Sequence, residues 1–354
     1  MKEIRVLELF AGIGACSKAL ERLNIPHKIV DAVEIDKYAI KSFNAIHGTN
    51  FEPQDITKWD KDLDVDLIMH GSPCQDFSLA GKQAGGDEGS GTRSSLMYET
   101  LRIVEKLKPK YVIWENVKNL VSKKHIHNHD AYVERMSELG YESLATILNA
   151  KDYGIPQNRE RVYTISILKG TKCSPVFNFL TPIPLELKLK DFLEDDVDES
   201  YNVSNKQLQG MIKTNFNSYK LSKLLKDKDG VVDTITARFT GCPQLVIKTN
   251  NKKGYEVVNQ YDSLNISYPS SKTRRGRVGK ECAGTITTGN VQCVLDNVIR
   301  KLTPRECWRL MGFDDKDFDK ASKVNSNAQL YKQAGNSIVV NVLEAILKGL
   351  LCKQ

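Results

Sequence analysis

Apolar and polar positions along this chain alternate between strand-like runs and helix-like stretches. Residues 4–9, Ile4-Arg5-Val6-Leu7-Glu8-Leu9, predict a first strand, and residues 15–23 a helix. Residues 28–33 predict a second strand that ends at Glu34. Asp66-Leu67-Ile68-Met69-His70 is a short apolar run expected to be a buried strand. Residues 96–107 predict a helix. Residues 111–114 predict a strand running into Glu115-Asn116, residues 128–139 a helix, and residues 141–148 and 162–168 two more strands. Strands alternating with helices imply an α/β domain, and strands joined by a crossover helix are usually adjacent and parallel.

The rhythm fails after about Lys172. Pro175, Pro182 and Pro184 mark a linker, residues 191–199 form an acidic run, and the chain to about Asn297 is rich in Asn, Ser, Thr and Lys. A smaller β-rich, loop-rich domain is expected there. Thr234-Ile235-Thr236 precedes Cys242 as Thr285-Ile286-Thr287 precedes Cys293, so two related hairpins are expected. Thr303, Pro304 and Glu306 have the spacing of an N-cap, a first-position proline and a capping box, with a helix ending at Gly312-Phe313. Gln333-Ala334-Gly335-Asn336-Ser337 is expected to open a helix over residues 338–351, whose apolar Ile338, Val342, Ala345, Ile346 and Leu350 pack back on the first domain. The domains expected are residues 1–178 as the α/β unit, 179–326 as the smaller β-rich unit, and 327–354 as a C-terminal helix returning to the first.

Composition narrows the class. The chain has 354 residues, which favours two domains, and a net charge of +7, which suits a polyanionic partner. No apolar run looks long enough to span a bilayer, and the N-terminus lacks a signal-peptide core. The eight cysteines include no C-x-x-C pair, which argues against structural zinc and for a reducing cytoplasm. His125, His127 and His129 alternate after two lysines, and a solvated loop is expected there rather than a metal site.

The candidate chemistry gathers at strand ends. Gly71-Ser72-Pro73-Cys74-Gln75 presents one thiol beyond the end of a buried strand, where ligands collect in open α/β sheets. Phe10-Ala11-Gly12-Ile13-Gly14 lies between the first strand and helix. It is an incomplete dinucleotide turn, because Ser17 stands where a third glycine would be. Glu34 ends the second strand at the spacing of a ribose-binding acid, and Asp55 and Ile56 could frame an adenine. An adenosine-containing cofactor is expected. Residues 75–95 hold five glycines together with Lys82 and Arg93, and suit a lid. Glu115 should reach the same edge as Cys74. Arg159 and Arg161 should share a face. The strongest basic cluster, Ser270-Ser271-Lys272-Thr273-Arg274-Arg275-Gly276-Arg277, suits phosphate contact.

Taken together, these motifs resemble a cytosine-C5 DNA methyltransferase. Phe10 to Gly14 is similar to that family's cofactor turn, Pro73-Cys74-Gln75 to its nucleophile motif, and Glu115-Asn116-Val117 to its acid motif. Gln157-Asn158-Arg159-Glu160-Arg161 resembles its paired-arginine motif, and Leu302-Thr303-Pro304-Arg305-Glu306 and Gly335-Asn336-Ser337 its two C-terminal motifs. Ser72, where bacterial members usually carry Phe, and Glu8, in place of Asp, depart from the pattern.

The resemblance implies a Rossmann-like, mostly parallel methyltransferase domain beside the β-rich recognition domain, with S-adenosylmethionine as cofactor and double-stranded DNA as partner. It implies Cys74 as nucleophile, Glu115 as the acid at the base's N3, Arg161 at its O2, and Arg159, Asn116 and Pro73 in support. Phe10, Ala11, Gly12, Ile13, Gly14, Glu34, Ile35, Asp55, Ile56, Leu96, Asn336 and Ser337 would bind the cofactor. Gln75, Ser78, Lys82, Arg93, Thr234, Arg238, Arg274, Arg275, Arg277 and Thr285 would meet DNA. It also implies a working monomer in the cytoplasm, with a restriction endonuclease as a functional rather than physical counterpart. A tRNA-directed relative, a non-catalytic binding paralogue and a nicotinamide dehydrogenase are the alternatives. The last two are disfavoured by the presence of both Cys74 and Glu115.

Overall fold

The computed structural model describes residues 2–73, 90, 92–171, 181–203, 245–249, 255–267, 278–289, 292–296 and 298–351. Its first part runs β1 (Ile4–Leu9), α1 (Ala15–Arg22), β2 (His27–Val33), α2 (Lys37–His47), β3 (Leu67–His70), α3 (Met97–Leu107), β4 (Tyr111–Val117), α4 (Ile126–Glu138), β5 (Tyr141–Asn149) and β6 (Glu160–Leu168). These strands form one six-stranded sheet in the order β2-β1-β3-β4-β6-β5. β1, β2, β3 and β4 are parallel, while β6 runs antiparallel to both β4 and β5. The mixed α/β fold with a mostly parallel sheet is therefore as expected.

Strand alternation divides the interior in two. Val6, Leu67, Met69, Tyr111, Ile113, Tyr163 and Ile165 face one core, and Leu7, Leu9, Ile68, Val112, Trp114 and Val162 face the other. Successive strand side chains point to opposite faces, so a residue's parity decides which core it joins. α3 and α4 cover the second core through Leu101, Ile103, Tyr132 and Met136.

The first core is completed from the far end of the chain. α5 (Pro304–Arg309), α6 (Asp315–Ser322), α7 (Asn327–Asn336) and α8 (Val340–Leu351) contribute Trp308, Phe318, Leu330, Val342, Leu343 and Leu347 to it. The capping box at the start of α5 forms as expected: Thr303 Oγ accepts from the Glu306 amide at 3.1 Å, and the Glu306 carboxylate accepts from the Thr303 amide at 2.7 Å. Leu302, just before α5, is itself part of the first core.

Several expectations change. α2 and α6 were not anticipated. Gln333 to Asn336 close α7 rather than open the last helix, which begins at Val340. The histidine segment is the start of α4 rather than a solvated loop, with His125 and His129 buried. By length and composition alone, Asn327–Leu351 is apolar enough to cross a membrane, contrary to expectation. Here it is two helices that bury Leu330, Val340, Val342, Leu343, Ile346, Leu347 and Leu350 in the protein core.

In the middle, β9 (Ser263–Asn265), β10 (Val278–Gly279), β11 (Gln292–Asp296) and β12 (Val298–Lys301) form an antiparallel sheet in the order β10-β9-β11-β12. β7 (Leu245–Lys248) and β8 (Tyr255–Val258) pair separately. Thr285-Ile286-Thr287 is not part of a hairpin strand, because the hairpin is β11–β12. The backbone of the segment is engaged elsewhere, the Ile286 amide donating to Gln157 Oε1. The other copy, with Thr234 and Cys242, lies outside the described residues.

Candidate active site

The turn after β1 is held in an unusual backbone. Phe10 has φ 53°, Gly12 φ 56° and Gly14 φ 81°. A left-handed phenylalanine is strained and persists where its surroundings enforce it. At Gly14 a Cβ would meet His47 Nε2 at 2.1 Å, so glycine is required there for space as well as for φ. Glu34 fixes the turn from β2: its carboxylate accepts from the Gly12 amide at 3.0 Å and from the Asp36 amide at 2.8 Å.

This turn forms one wall of a cleft lined by Glu8, Leu9, Phe10, Ala11, Gly12, Ile13, Ala15, Cys16, Met69, Gly71, Glu115, Asn336, Ser337 and Ile338. The expected cofactor residues Phe10 to Ile13, Asn336 and Ser337 therefore meet in one place, from opposite ends of the chain. Gly14 and Glu34 support the turn, and Ile35 stands exposed beyond it. Asp55 caps a short 3-10 turn through Thr57, Ile56 is buried in the second core, and Leu96 packs against that core. None of these three is among the cleft's lining residues. Glu8, Leu9, Ala15, Cys16, Met69, Gly71 and Ile338 also line the cleft without having been expected there from sequence; Glu8 and Met69 follow from strand parity, and Gly71 from the end of β3.

Glu115 shares the parity of Ile113 and so emerges on the cleft side of β4. It is paired in register with Tyr163 on antiparallel β6, which puts Arg161 diagonally across on the same face. Arg161 Nε lies 3.1 Å from Glu115 Oε1. Burial pushes the Glu115 carboxyl above its ordinary value, opposed by the attraction of Arg161 and Arg159. A carboxyl so placed can hold a proton for transfer while staying close to a guanidinium.

Arg159 has a different task. Buried at 4 % exposure, it donates to the carbonyls of Ile286 at 2.9 Å, Gly335 at 3.1 Å and Ser337 at 2.7 Å. Nearby, Gln157 donates to the Leu310 carbonyl at 2.7 Å, and the Thr285 hydroxyl donates to the Asn158 carbonyl at 2.9 Å. The paired-arginine motif thus joins three stretches of chain, and Thr285, expected at DNA, is tied to that joint.

Asn116 and Trp114 point away from the cleft and hold the exit of β3. Trp114 Nε1 donates to Ser72 Oγ at 2.9 Å, and Asn116 Nδ2 donates to the Ser72 carbonyl at 3.2 Å. Pro73 is the last described residue before the candidate nucleophile. Cys74, Gln75, Ser78, Lys82, Thr234, Arg238, Arg274, Arg275 and Arg277, and the side chain of Arg93, lie outside what the structure describes.

Comparison with known proteins identifies the family. The profile of the family described as C-5 cytosine-specific DNA methylase matches residues 4–352. The type II methyltransferase M2.ScrFI of Lactococcus lactis subsp. cremoris is 34% identical, covering 99% of this chain and 100% of its own. The orphan methyltransferase M.SPRI of Bacillus phage SPR is 32% identical over 99% and 98% of the two chains. Among solved structures, the S. pombe Dnmt2 methyltransferase shares the fold with a TM-score of 0.60 at 21% identity, over 99% of this chain and 98% of that one. With a turn, an acid and an arginine pair assembled as the sequence motifs anticipate, and a profile match from Ile4 to Cys352, the chain belongs to the C-5 cytosine-specific DNA methylase family.

Proposed function

We propose that this protein transfers a methyl group from S-adenosylmethionine to carbon 5 of cytosine in a specific sequence of double-stranded DNA. The observation that carries the proposal is Glu115 on the wall of the cleft beside Gly71, paired with Arg161 at 3.1 Å, with Cys74 following just beyond Gly71 in sequence. The cleft suits an adenosine cofactor. Gly12 leaves the turn bare, since a Cβ there would meet nothing within 4 Å. Glu34 offers a carboxylate to ribose hydroxyls, and Ile35, 71% exposed, offers an apolar surface to a base. Bound S-adenosylmethionine supplies an electrophilic methyl group.

Carbon 5 of cytosine is a poor nucleophile unaided. The Cys74 thiolate bonds to carbon 6, breaking the 5,6 double bond and passing electrons toward N3 and O2. Glu115 protonates or hydrogen-bonds N3, and Arg161 holds O2, so the charge that develops is met as it forms. Carbon 5 then takes the methyl group from the cofactor's sulfonium, which leaves as a neutral thioether, and loss of the carbon 5 proton to water expels Cys74 as thiolate. The ring cannot be reached inside a duplex, so the base must be flipped out.

Residues from about 179 to 301 serve in this proposal as the sequence-reading unit, with Arg274, Arg275 and Arg277 among the DNA contacts. The enzyme works as a cytoplasmic monomer, alongside a restriction endonuclease or alone. DNA carrying 5-fluorocytosine tests the chemistry, because fluorine cannot leave as the proton does. Wild type should form a stable covalent adduct, and Cys74→Ser should form none while still binding cofactor. An adduct with the serine variant would overturn the assignment.

A further inference from the structure

Ser72 sits at 3 % exposure at the end of β3, and β4 grips it twice. Trp114 Nε1 donates to its hydroxyl oxygen at 2.9 Å, and Asn116 Nδ2 lies 3.4 Å from the same oxygen and 3.2 Å from the Ser72 carbonyl. A hydroxyl oxygen has two lone pairs, and here two N–H donors approach it. Trp114 and Asn116 are two apart on one strand, so their side chains leave the same face and converge on one neighbour.

The donor is itself immobilised. The Trp114 ring lies between two imidazoles, parallel to His70 within 6° at 5.7 Å and to His129 within 10° at 5.8 Å. Tyr132 packs against the indole at 4.2 Å. Each imidazole is pinned in turn: His70 Nε2 is 3.0 Å from Tyr132 Oη, and His129 Nε2 is 3.0 Å from Thr164 Oγ1. His70 is fully buried, and burial holds it neutral with its pKa near 3. From this stack the indole N–H points to the exit of β3. A buried indole N–H needs an acceptor, and Ser72 is that acceptor.

We propose that Ser72 is a positioning residue, held by Trp114 and Asn116, that fixes the direction in which the chain leaves β3 for Cys74 and so sets the reach of the thiol to the base. This rests on the methyl-transfer function proposed above. Without the hydroxyl, the indole N–H loses its partner and the exit of β3 is no longer anchored to β4. The effect should fall on the rate of thiol attack rather than on cofactor binding, because Ser72 belongs to the face opposite the cleft.

The test measures single-turnover adduct formation on 5-fluorocytosine duplex DNA at saturating enzyme, with cofactor affinity followed by calorimetry. Ser72→Ala should slow adduct formation at least tenfold and leave cofactor affinity within twofold. Ser72→Thr, which keeps the oxygen, should restore most of the rate. Trp114→Phe keeps a ring in the stack but removes the donor, and it too should slow the adduct. The double variant Ser72→Ala/Trp114→Phe should be no slower than the slower single variant, since both remove one interaction. If Ser72→Ala does not fold, Trp114→Phe decides: wild-type adduct rate in that variant overturns the proposal. Wild-type rate in a folded Ser72→Ala also overturns it. Absence of any adduct with wild-type enzyme would instead overturn the methyl-transfer function, and this inference with it.

Discussion

Glu34 accepts from two backbone amides, those of Gly12 and Asp36, and so holds the shape of the turn. Glu34→Ala should weaken S-adenosylmethionine binding by roughly ten- to a hundredfold, on the scale of about 1–3 kcal/mol for a lost hydrogen-bonding group. Calorimetry checks this, and unchanged affinity would make Glu34 a bystander. Glu8 is a second buried carboxyl, accepting from the Ser17 amide at 3.0 Å and from the Ser17 hydroxyl. Burial pushes it from 4.5 up to about 7, opposed by the Ser17 hydrogen bonds. A group raised on folding contributes stability below its unfolded pKa and loses it as pH climbs through the folded value. Glu8→Gln does not titrate, so relative to wild type it should gain between pH 4.5 and 7, by up to ~3 kcal/mol. Thermal melts at pH 5 and pH 8 check the sign; a difference that does not change with pH would show that Glu8 does not titrate in this range. The placement of Glu115 and Glu34 was legible in the sequence because each lies at or near the end of a strand. Arg159 was only half legible. Its place in a motif was plain, but its three carbonyl partners come from residues 286, 335 and 337, which no local pattern connects to it.

At the scale of elements, α7 meets the segment before β11 at close quarters. A Cβ on Gly335 would stand 2.4 Å from the backbone of Thr287 and Thr288, and backbone cannot swing aside as a flexible side chain can. Gly335→Ala should destabilise the fold by about 1–3 kcal/mol through overpacking. It should also weaken cofactor binding, because the neighbouring Asn336 and Ser337 line the cleft. Melting temperature and cofactor affinity should fall together. If both were unchanged, the close approach would carry no weight. The strands and crossover helices of the first half were readable from their periodicity, since each buries a regular stripe or face. The end of α7 was not. Residues 333–337 carry the small and polar types of a turn, and whether such a turn closes one helix or opens another depends on the packing of Leu330 and Tyr331 behind it. Thr285 to Thr287 misled for a similar reason: β-branched alternation predicts an extended backbone, but here its ladder partners were replaced by Gln157 and Arg159.

Over the whole molecule, the two ends of the chain are bolted together by charge as well as by apolar contact. Lys18 on α1, with a fully buried side chain, lies 2.8 Å from Asp314 and 2.9 Å from Asp317 at the start of α6. Asp317 is itself 1 % exposed. Removing one partner of a buried pair leaves the other charge without compensation, which typically costs about 3–5 kcal/mol. Lys18→Met should therefore lower the urea midpoint sharply, while a Lys18→Met/Asp317→Leu variant should recover part of the loss. A single variant as stable as wild type would show that the bolt is dispensable. The α/β class and the return of the C-terminus to the first domain could be read from the sequence. The bolt could not, since a lysine on an otherwise ordinary helix gives no sign of partners almost three hundred residues away.

That separation has a consequence while the protein is being made. Arg22 donates to the carbonyl of Gly312, 290 residues further on, and Ala19 and Leu20 share a core with Leu343 and Leu347. At about 5–20 residues per second, the ribosome needs roughly 15–60 s to supply the covering helices after α1 has emerged. For that interval the nascent chain shows one finished flank, under α3 and α4, and one bare apolar flank beside the glycine turn. A message cut short before α7 would give a sticky fragment suited to chaperones and proteases rather than a weakly active enzyme. Asn336 and Ser337 line the cleft opposite a glycine turn translated long before them, so the cleft is complete only once α7 has been made.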